Sequence, residues 1–186
     1  MRAYERFLNY AVVYTTSDEE STSVPTTERQ FDLARMLVQE LQEMGVEDAR
    51  VDEKCYVYGS IPATPGYENC VSLGFIAHMD TSPDFAGQGV KPQVIKEYDG
   101  QDVALGDSGR VLSVKQFPHL SGLKGRTLIT TDGTTLLGAD DKAGVAEIMT
   151  MAERILKSEI PHGKICIGFT PDEEVGKGAK HFDVDA

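Results

Sequence analysis

Apolar residues recur along the chain at two spacings, and the points where the spacing changes mark the elements. Residues 4–14 place Phe7, Leu8, Ala11 and Val12 on one side of a helix. A polar loop through Ser17, Asp18, Glu19, Glu20 and Ser21 leads to a second helical pattern, with Phe31, Ala34, Leu37, Val38 and Leu41 as its stripe. Thr27 with Gln30 fits a capping box at its start, and Gly45 fits the position just past its last turn. This helix reads as scaffold. Residues 49–58 predict a strand and residues 61–69, with two prolines and a glycine, a turn. Residues 70–77 and 164–170 are apolar runs of the kind that a sheet covered on both faces carries. Between them, Val145, Ile148, Met149, Ala152, Ile155 and Leu156 return to helical spacing, and Pro161 and Gly163 end that helix. Strands alternating with helices predict an α/β sandwich around a mostly parallel sheet.

Residues 81–109 interrupt this rhythm. They are rich in Gly and Pro, and they predict a long excursion with one short strand at 94–96. Leu128 to Thr131 then begin a hairpin that turns at Gly133, runs through a second short strand and delivers Asp140 and Asp141 to the start of the next helix. Carboxylates at a helix N-terminus face free N–H groups and the positive end of the dipole, so they stay ionised.

Composition narrows the partners. The 186 residues fit one domain, and 40% hydrophobic residues suffice for a core. Lys and Arg number 18 against 30 Asp and Glu, for a formal charge of −12. Nucleic acid and anionic membrane surfaces, which require a basic face, are therefore excluded as expected partners. A divalent cation, or the free amine of a peptide, suits such a chain. Cys55, Cys70 and Cys166 form no C-x-x-C pair and read as buried thiols in a reducing compartment. The first residues, Met1 to Arg6, carry no signal-peptide core, and no apolar stretch approaches the roughly 20 residues of a membrane helix. The expectation is a soluble, cytoplasmic protein.

The chemistry concentrates where apolar runs end. His78 and Asp80, two apart in extended backbone, leave the chain on the same side. A metal-binding His usually donates its other N–H to an orienting group, so Asp80 either orients His78 or ligates metal itself. Glu173 and Glu174 follow the last apolar run and diverge, so one can hold metal while the other takes a proton from water. Imidazole with carboxylates suits Zn²⁺, with Mn²⁺ or Co²⁺ admitted by the same donors. Asp140, with two oxygens, can bridge two ions about 3.5–4 Å apart. Three strand ends would thus meet at one edge of a sheet. His119, His162 and His181 stand in polar or turn contexts and are given no role.

The stretch Thr130-Thr131-Asp132-Gly133-Thr134-Thr135-Leu136-Leu137-Gly138-Ala139-Asp140-Asp141-Lys142-Ala143-Gly144 resembles the bridging-ligand motif of tripeptide aminopeptidases, within the di-zinc aminoacylase and carboxypeptidase-like peptidases. The stretches from His78 to Phe85 and from Phe169 to Phe182 resemble the same family. The resemblance implies a three-layer, phosphorylase/hydrolase-like zinc-peptidase catalytic domain. It implies that His78 ligates one zinc, Asp80 orients His78, Asp140 bridges two zincs across a cis peptide to Asp141, Glu173 is the general base and Glu174 ligates the other zinc. The implied substrates are short peptides, mainly tripeptides, cleaved after the N-terminal residue. Two zinc sites sharing one bridge need five donors, and this chain offers three good ones. Residues 1–186 are accordingly expected to be the N-terminal part of a catalytic domain, with a lid domain and further ligands beyond Ala186. Such a piece is expected to be inactive alone, to bind zinc weakly, and to favour a homo-oligomer through an uncovered sheet edge. The competing readings are a Mg²⁺-dependent phosphoryl hydrolase, disfavoured by His78 and by the lack of a glycine-rich phosphate loop, and a non-catalytic module.

Overall fold

The computed structural model describes residues 1–185. Its centre is a mixed sheet of strands β1 (Arg50–Val51), β2 (Val57–Ile61), β3 (Leu73–His78) and β8 (Ile165–Thr170), in the order β1-β2-β8-β3. The α/β class is as expected, but the sheet is not mostly parallel: β3 and β8 run parallel, while β1 with β2 and β2 with β8 run antiparallel. The cause is connection length. Residues 49–58, expected as one strand, fold back through a turn in which the Asp52 carboxylate accepts N–H bonds from Lys54 (2.9 Å) and Tyr56 (2.8 Å). So tight a turn joins only antiparallel strands, whereas a parallel pair needs a crossover of a dozen or more residues. The link from β3 to β8 provides one, since it contains helix α3 (Ala139–Leu156).

Helices α1 (Ala3–Ala11), α2 (Gln30–Met44) and α3 join the strands in one core. Leu33, Leu37 and Leu41 of α2 and Val145, Met149 and Ala152 of α3 are fully buried against Val57, Ile167 and Phe169. Helix α2 ends as the sequence predicts: Gly45, at φ +101°, takes the left-handed conformation that costs other residues more. Its start differs. Thr27 and Gln30 form no capping box, because α2 begins at Gln30 itself. Helix α1 stops at Ala11 rather than residue 14, and its buried face is Arg6, Phe7, Tyr10 and Ala11 instead of Phe7, Leu8, Ala11 and Val12. Polar partners explain this rotation. Arg6 pairs with Glu40 (2.6 Å) and Glu153 (2.8 Å), and Tyr10 donates to Glu40, so these two side chains turn inward.

Coverage of the sheet is uneven. Strand β3 is an edge, and Leu73 and Ile76 are exposed, so the expectation of a strand covered on both faces fails there for want of a neighbour. On the β8 side, the ring of Phe182 lies so close to Gly168 that a Cβ at that position would sit 2.7 Å from it. Tyr56 and Tyr58 accept N–H bonds from His181 and Asp183, holding this segment down. Of the thiols only Cys55 is buried; Cys70 is exposed and Cys166 half-buried.

The excursion after β3 builds a small unit of its own. Strand β4 (Gln93–Ile95) pairs with β7 (Leu128–Thr130), and β5 (Val103–Ala104) with β6 (Val111–Leu112), around Tyr98, Val103 and Leu120. The hairpin expected after β7 is absent. Residues 131–138 form a turn with no second strand, packed so that a Cβ at Gly133 would meet Ser108 at 2.3 Å. No helix among the described residues is long and apolar enough to cross a membrane.

Candidate metal centre

The parallel pairing of β3 and β8 sets their last residues level, His78 opposite Thr170. Beyond that line β3 runs on to Asp80, and β8 runs through Asp172 into a short 3₁₀ turn at Glu173–Val175. The two segments are tied by Asp80. Its carboxylate is wholly buried and accepts the N–H of Glu173 (3.0 Å) and of Glu174 (3.2 Å). Charged acceptors make stronger bonds than neutral ones, so the Glu pair is fixed relative to β3.

The His78 ring is held from behind. Nδ1 lies 3.0 Å from the Asp80 carbonyl and 3.4 Å from its carboxylate, which leaves Nε2 free to face outward. Asp80 therefore contacts the ring as expected, yet its carboxylate serves the Glu173 and Glu174 amides more closely. Nε2 meets Asp140 at 2.9 Å and lies 3.7 Å from Glu173. Burial alone would lower the His78 pKa; the hydrogen bonds to Asp80 and Asp140 outweigh it and raise it to about 9.

Asp140 arrives differently from the other donors. It follows the turn after β7, which belongs to the small sheet, so two strand ends of the main sheet, and not three, meet at the site. Asp140 and Asp141 have non-helical dihedrals, and the peptide between them is cis, as the resemblance implies. Asp141 caps α3 by accepting the Gly144 N–H at 3.1 Å. That division of labour leaves Asp140 extended, with its side chain 87% exposed, free to face His78.

His78, Asp140 and Glu174 each bring one donor atom within 4.8 Å of the others. Burial raises the Glu174 pKa, and the charges of Asp140, Asp80 and Glu173 push it the same way, against the opposing effect of His78. An imidazole and two crowded carboxylates of this kind fit a divalent cation, which would relieve the repulsion. Behind them Lys142 is buried and donates to the Val13 carbonyl at 2.7 Å; burial pushes its ammonium down to about 8.

Sequence reasoning misses the other support of the Glu pair. Asp172 is buried beside it, with its carboxylate bonded to Thr26 and Gln30, from the loop and helix read as scaffold. The available signal is Gln30 itself. It sits on the same helical stripe as Leu33, Ala34, Leu37 and Leu41, where a polar side chain demands a buried partner.

By shape the chain is similar to the crystal structure of aminopeptidase PepT from Bacillus cereus, at 26% identity and a TM-score of 0.65, over 98% of this chain and 39% of that one. It is also similar to a tripeptidase from Staphylococcus aureus, at 25% identity and a TM-score of 0.66, over 99% of this chain and 40% of that one. In sequence it is a relative of peptidase T: 57% identical over 182 residues to the protein of that name from Desulfitobacterium hafniense, covering 97% of this chain. The chain spans 44% of the length of that relative. No protein-family model matches it.

Proposed function

We propose that the chain is the N-terminal part of the catalytic domain of a di-zinc aminopeptidase acting on tripeptides. The observation that carries the reading is the convergence of His78, Asp140 and Glu174 within 4.8 Å, with the carboxylate of Glu173 beside them. Bound zinc would supply a water of lowered pKa and a positive charge for the carbonyl oxygen of the scissile peptide. This chain's own residues supply the rest. His78 offers Nε2, oriented by the contacts of Nδ1 with Asp80. Asp140 would serve as the bridging carboxylate and Glu174 as a ligand of the second zinc. Glu173 has a side chain 58% exposed and no role in fixing its neighbours, so its carboxylate takes the proton of the attacking water and passes it to the leaving amine. The surrounding negative charge favours a substrate with a free ammonium group.

Three donors are fewer than the five that two zinc sites sharing a bridge require. The chain alone is therefore expected to bind zinc weakly and to leave tripeptides uncleaved. The sheet is read as the middle of a three-layer sandwich, its exposed Leu73 and Ile76 marking surface for a further layer or for self-association. The free cysteines accord with a cytoplasmic setting.

The test is Glu173→Gln in the full-length enzyme. Turnover of a tripeptide should fall about 10²–10⁴-fold, the usual worth of a general base, with zinc content unchanged. Near-normal kcat in the variant would remove Glu173 from the mechanism.

A further inference from the structure

Asp172 has a buried carboxylate, 1% exposed, that forms no ion pair among the described residues. Three groups of the N-terminal segment converge on it. The Thr26 N–H donates to both oxygens (3.0 and 2.9 Å), the Thr26 hydroxyl donates to Oδ1 (2.5 Å), and Gln30 Nε2 donates to Oδ1 (2.7 Å). Gln30 also accepts the backbone N–H of Asp172 through Oε1 at 3.1 Å. The same segment grips the β3 side. Ser17 donates its N–H to the Thr81 carbonyl (3.2 Å) and Thr81 donates its own to the Thr15 carbonyl (3.3 Å), while Thr27 donates its hydroxyl to the Thr16 carbonyl (2.9 Å) and so ties the segment to itself. Lys177, just past the 3₁₀ turn, donates to the Ser21 carbonyl at 2.8 Å. Residues 15–30 thus span both strand ends that carry the candidate donors.

The structure assigns to Asp172, Thr26 and Gln30 a positioning role: they lock the backbone from which Glu173 and Glu174 project, as Asp80 locks it from the opposite side. A solvated acidic turn would need no such anchor. Asp172 is a non-glycine residue at φ +56°, a conformation that surrounding bonds must hold. The aminopeptidase reading does not depend on this network, but the inference rests on that reading for the use to which the Glu pair is put.

The bond pattern gives a sharp test. In Asp172→Asn the new amide NH₂ meets a donor in either orientation: Gln30 Nε2 where it takes the place of Oδ1, the Thr26 N–H where it takes the place of Oδ2. Flipping Gln30 does not help, because its other end must accept the Asp172 backbone N–H. Adding Gln30→Glu restores the pattern: the introduced carboxylate accepts from both the backbone N–H and the new NH₂, while the amide oxygen keeps the Thr26 N–H. Zinc titrated alone into the 186-residue chain should bind 10–100-fold more weakly in D172N, the usual cost of losing a group that orients a ligand. The amide protons of Glu173 and Glu174 should exchange faster in the metal-free variant, with those of α2 and β8 unchanged. Q30E/D172N should recover both. If D172N does not fold, Thr26→Val, which removes the hydroxyl that donates to Asp172 and accepts the Asp18 N–H but keeps the Thr26 backbone N–H bonds, should shift both readouts in the same direction and by less. Unchanged exchange at Glu173 and Glu174 together with unchanged zinc affinity in D172N, or equal losses in the single and double variants, would overturn the positioning role. Glu174→Gln separates the two claims: if it leaves zinc binding intact, the metal reading fails, and the exchange measurement still decides the role of Asp172.

Discussion

The two halves of the candidate site are built in opposite ways. His78, Asp80, Glu173 and Glu174 extend from adjacent parallel strands of the main sheet, and the Asp80 carboxylate and the Asp172 network bind them from two sides. Asp140 enters from a turn after a two-stranded sheet with its own small core, carries an 87% exposed side chain, and meets the other half through His78 alone among the pairs formed by its carboxylate. One half is pre-organised by buried backbone bonds; the other is presented. The difference suits the bridging role proposed for Asp140, since a carboxylate already committed to buried N–H groups has no oxygen to spare. It also predicts that damage to the halves will look different.

The largest effect should come from Asp80→Ala. It removes a buried charged acceptor and leaves two backbone N–H groups without a partner. The expected loss of stability is on the order of 3 kcal/mol, from two charge-assisted bonds, read as a lower denaturant midpoint. Zinc affinity should fall with it, because the Glu pair loses its reference to β3. A variant with normal stability would mean that Asp80 is not the tie between the two strand ends.

Asp140→Ala should do the reverse. An exposed side chain outside the core leaves stability within about 0.5 kcal/mol. On the bridging role, metal content of the full-length enzyme should drop for both ions together, with zinc affinity falling about 100-fold or more, some 2.7 kcal/mol. Loss of one ion with retention of the other would reduce Asp140 from a bridge to a ligand of a single site.

The same contrast explains what is legible in the sequence. The convergence of His78, Asp140 and Glu174 can be read because each stands at the end of an apolar run or the start of a helix, and such ends define where a chain leaves its core. The core of α2 and α3 can be read for the same reason, since burial imposes a period on it. Sheet direction cannot: the Asp52 turn that makes β1 and β2 a hairpin lies inside what alternation presents as one strand. Nor can the inward rotation of α1, which depends on Glu40 and Glu153 from distant elements meeting Arg6. The Thr26 and Gln30 contacts with Asp172 are the strongest case. They join residues 142 or more apart in sequence, and the local pattern at Gln30 imitates a helix cap. Long-range polar pairing leaves no periodic mark.

The effect that joins the two halves is that of pH. In the metal-free chain the His78 pKa is raised to about 9, burial being outweighed by hydrogen bonds to Asp80 from one half and Asp140 from the other. A pKa raised above the unfolded value of about 6.5 means that the protonated ring stabilises the fold. That stabilisation is fully present below about pH 6.5 and is lost as pH rises through about 9. Metal requires the neutral imidazole, so zinc affinity should move the opposite way, climbing by about tenfold per pH unit across that window and levelling off above it. Chemical denaturation and zinc titration across this range, both on the metal-free chain, should therefore give curves of opposite slope. In Asp140→Ala one of the two bonds that raise the His78 pKa is gone, so both curves should bend at lower pH. Curves that coincide with those of the unsubstituted chain would show that the presented carboxylate does not act on the anchored half before metal arrives.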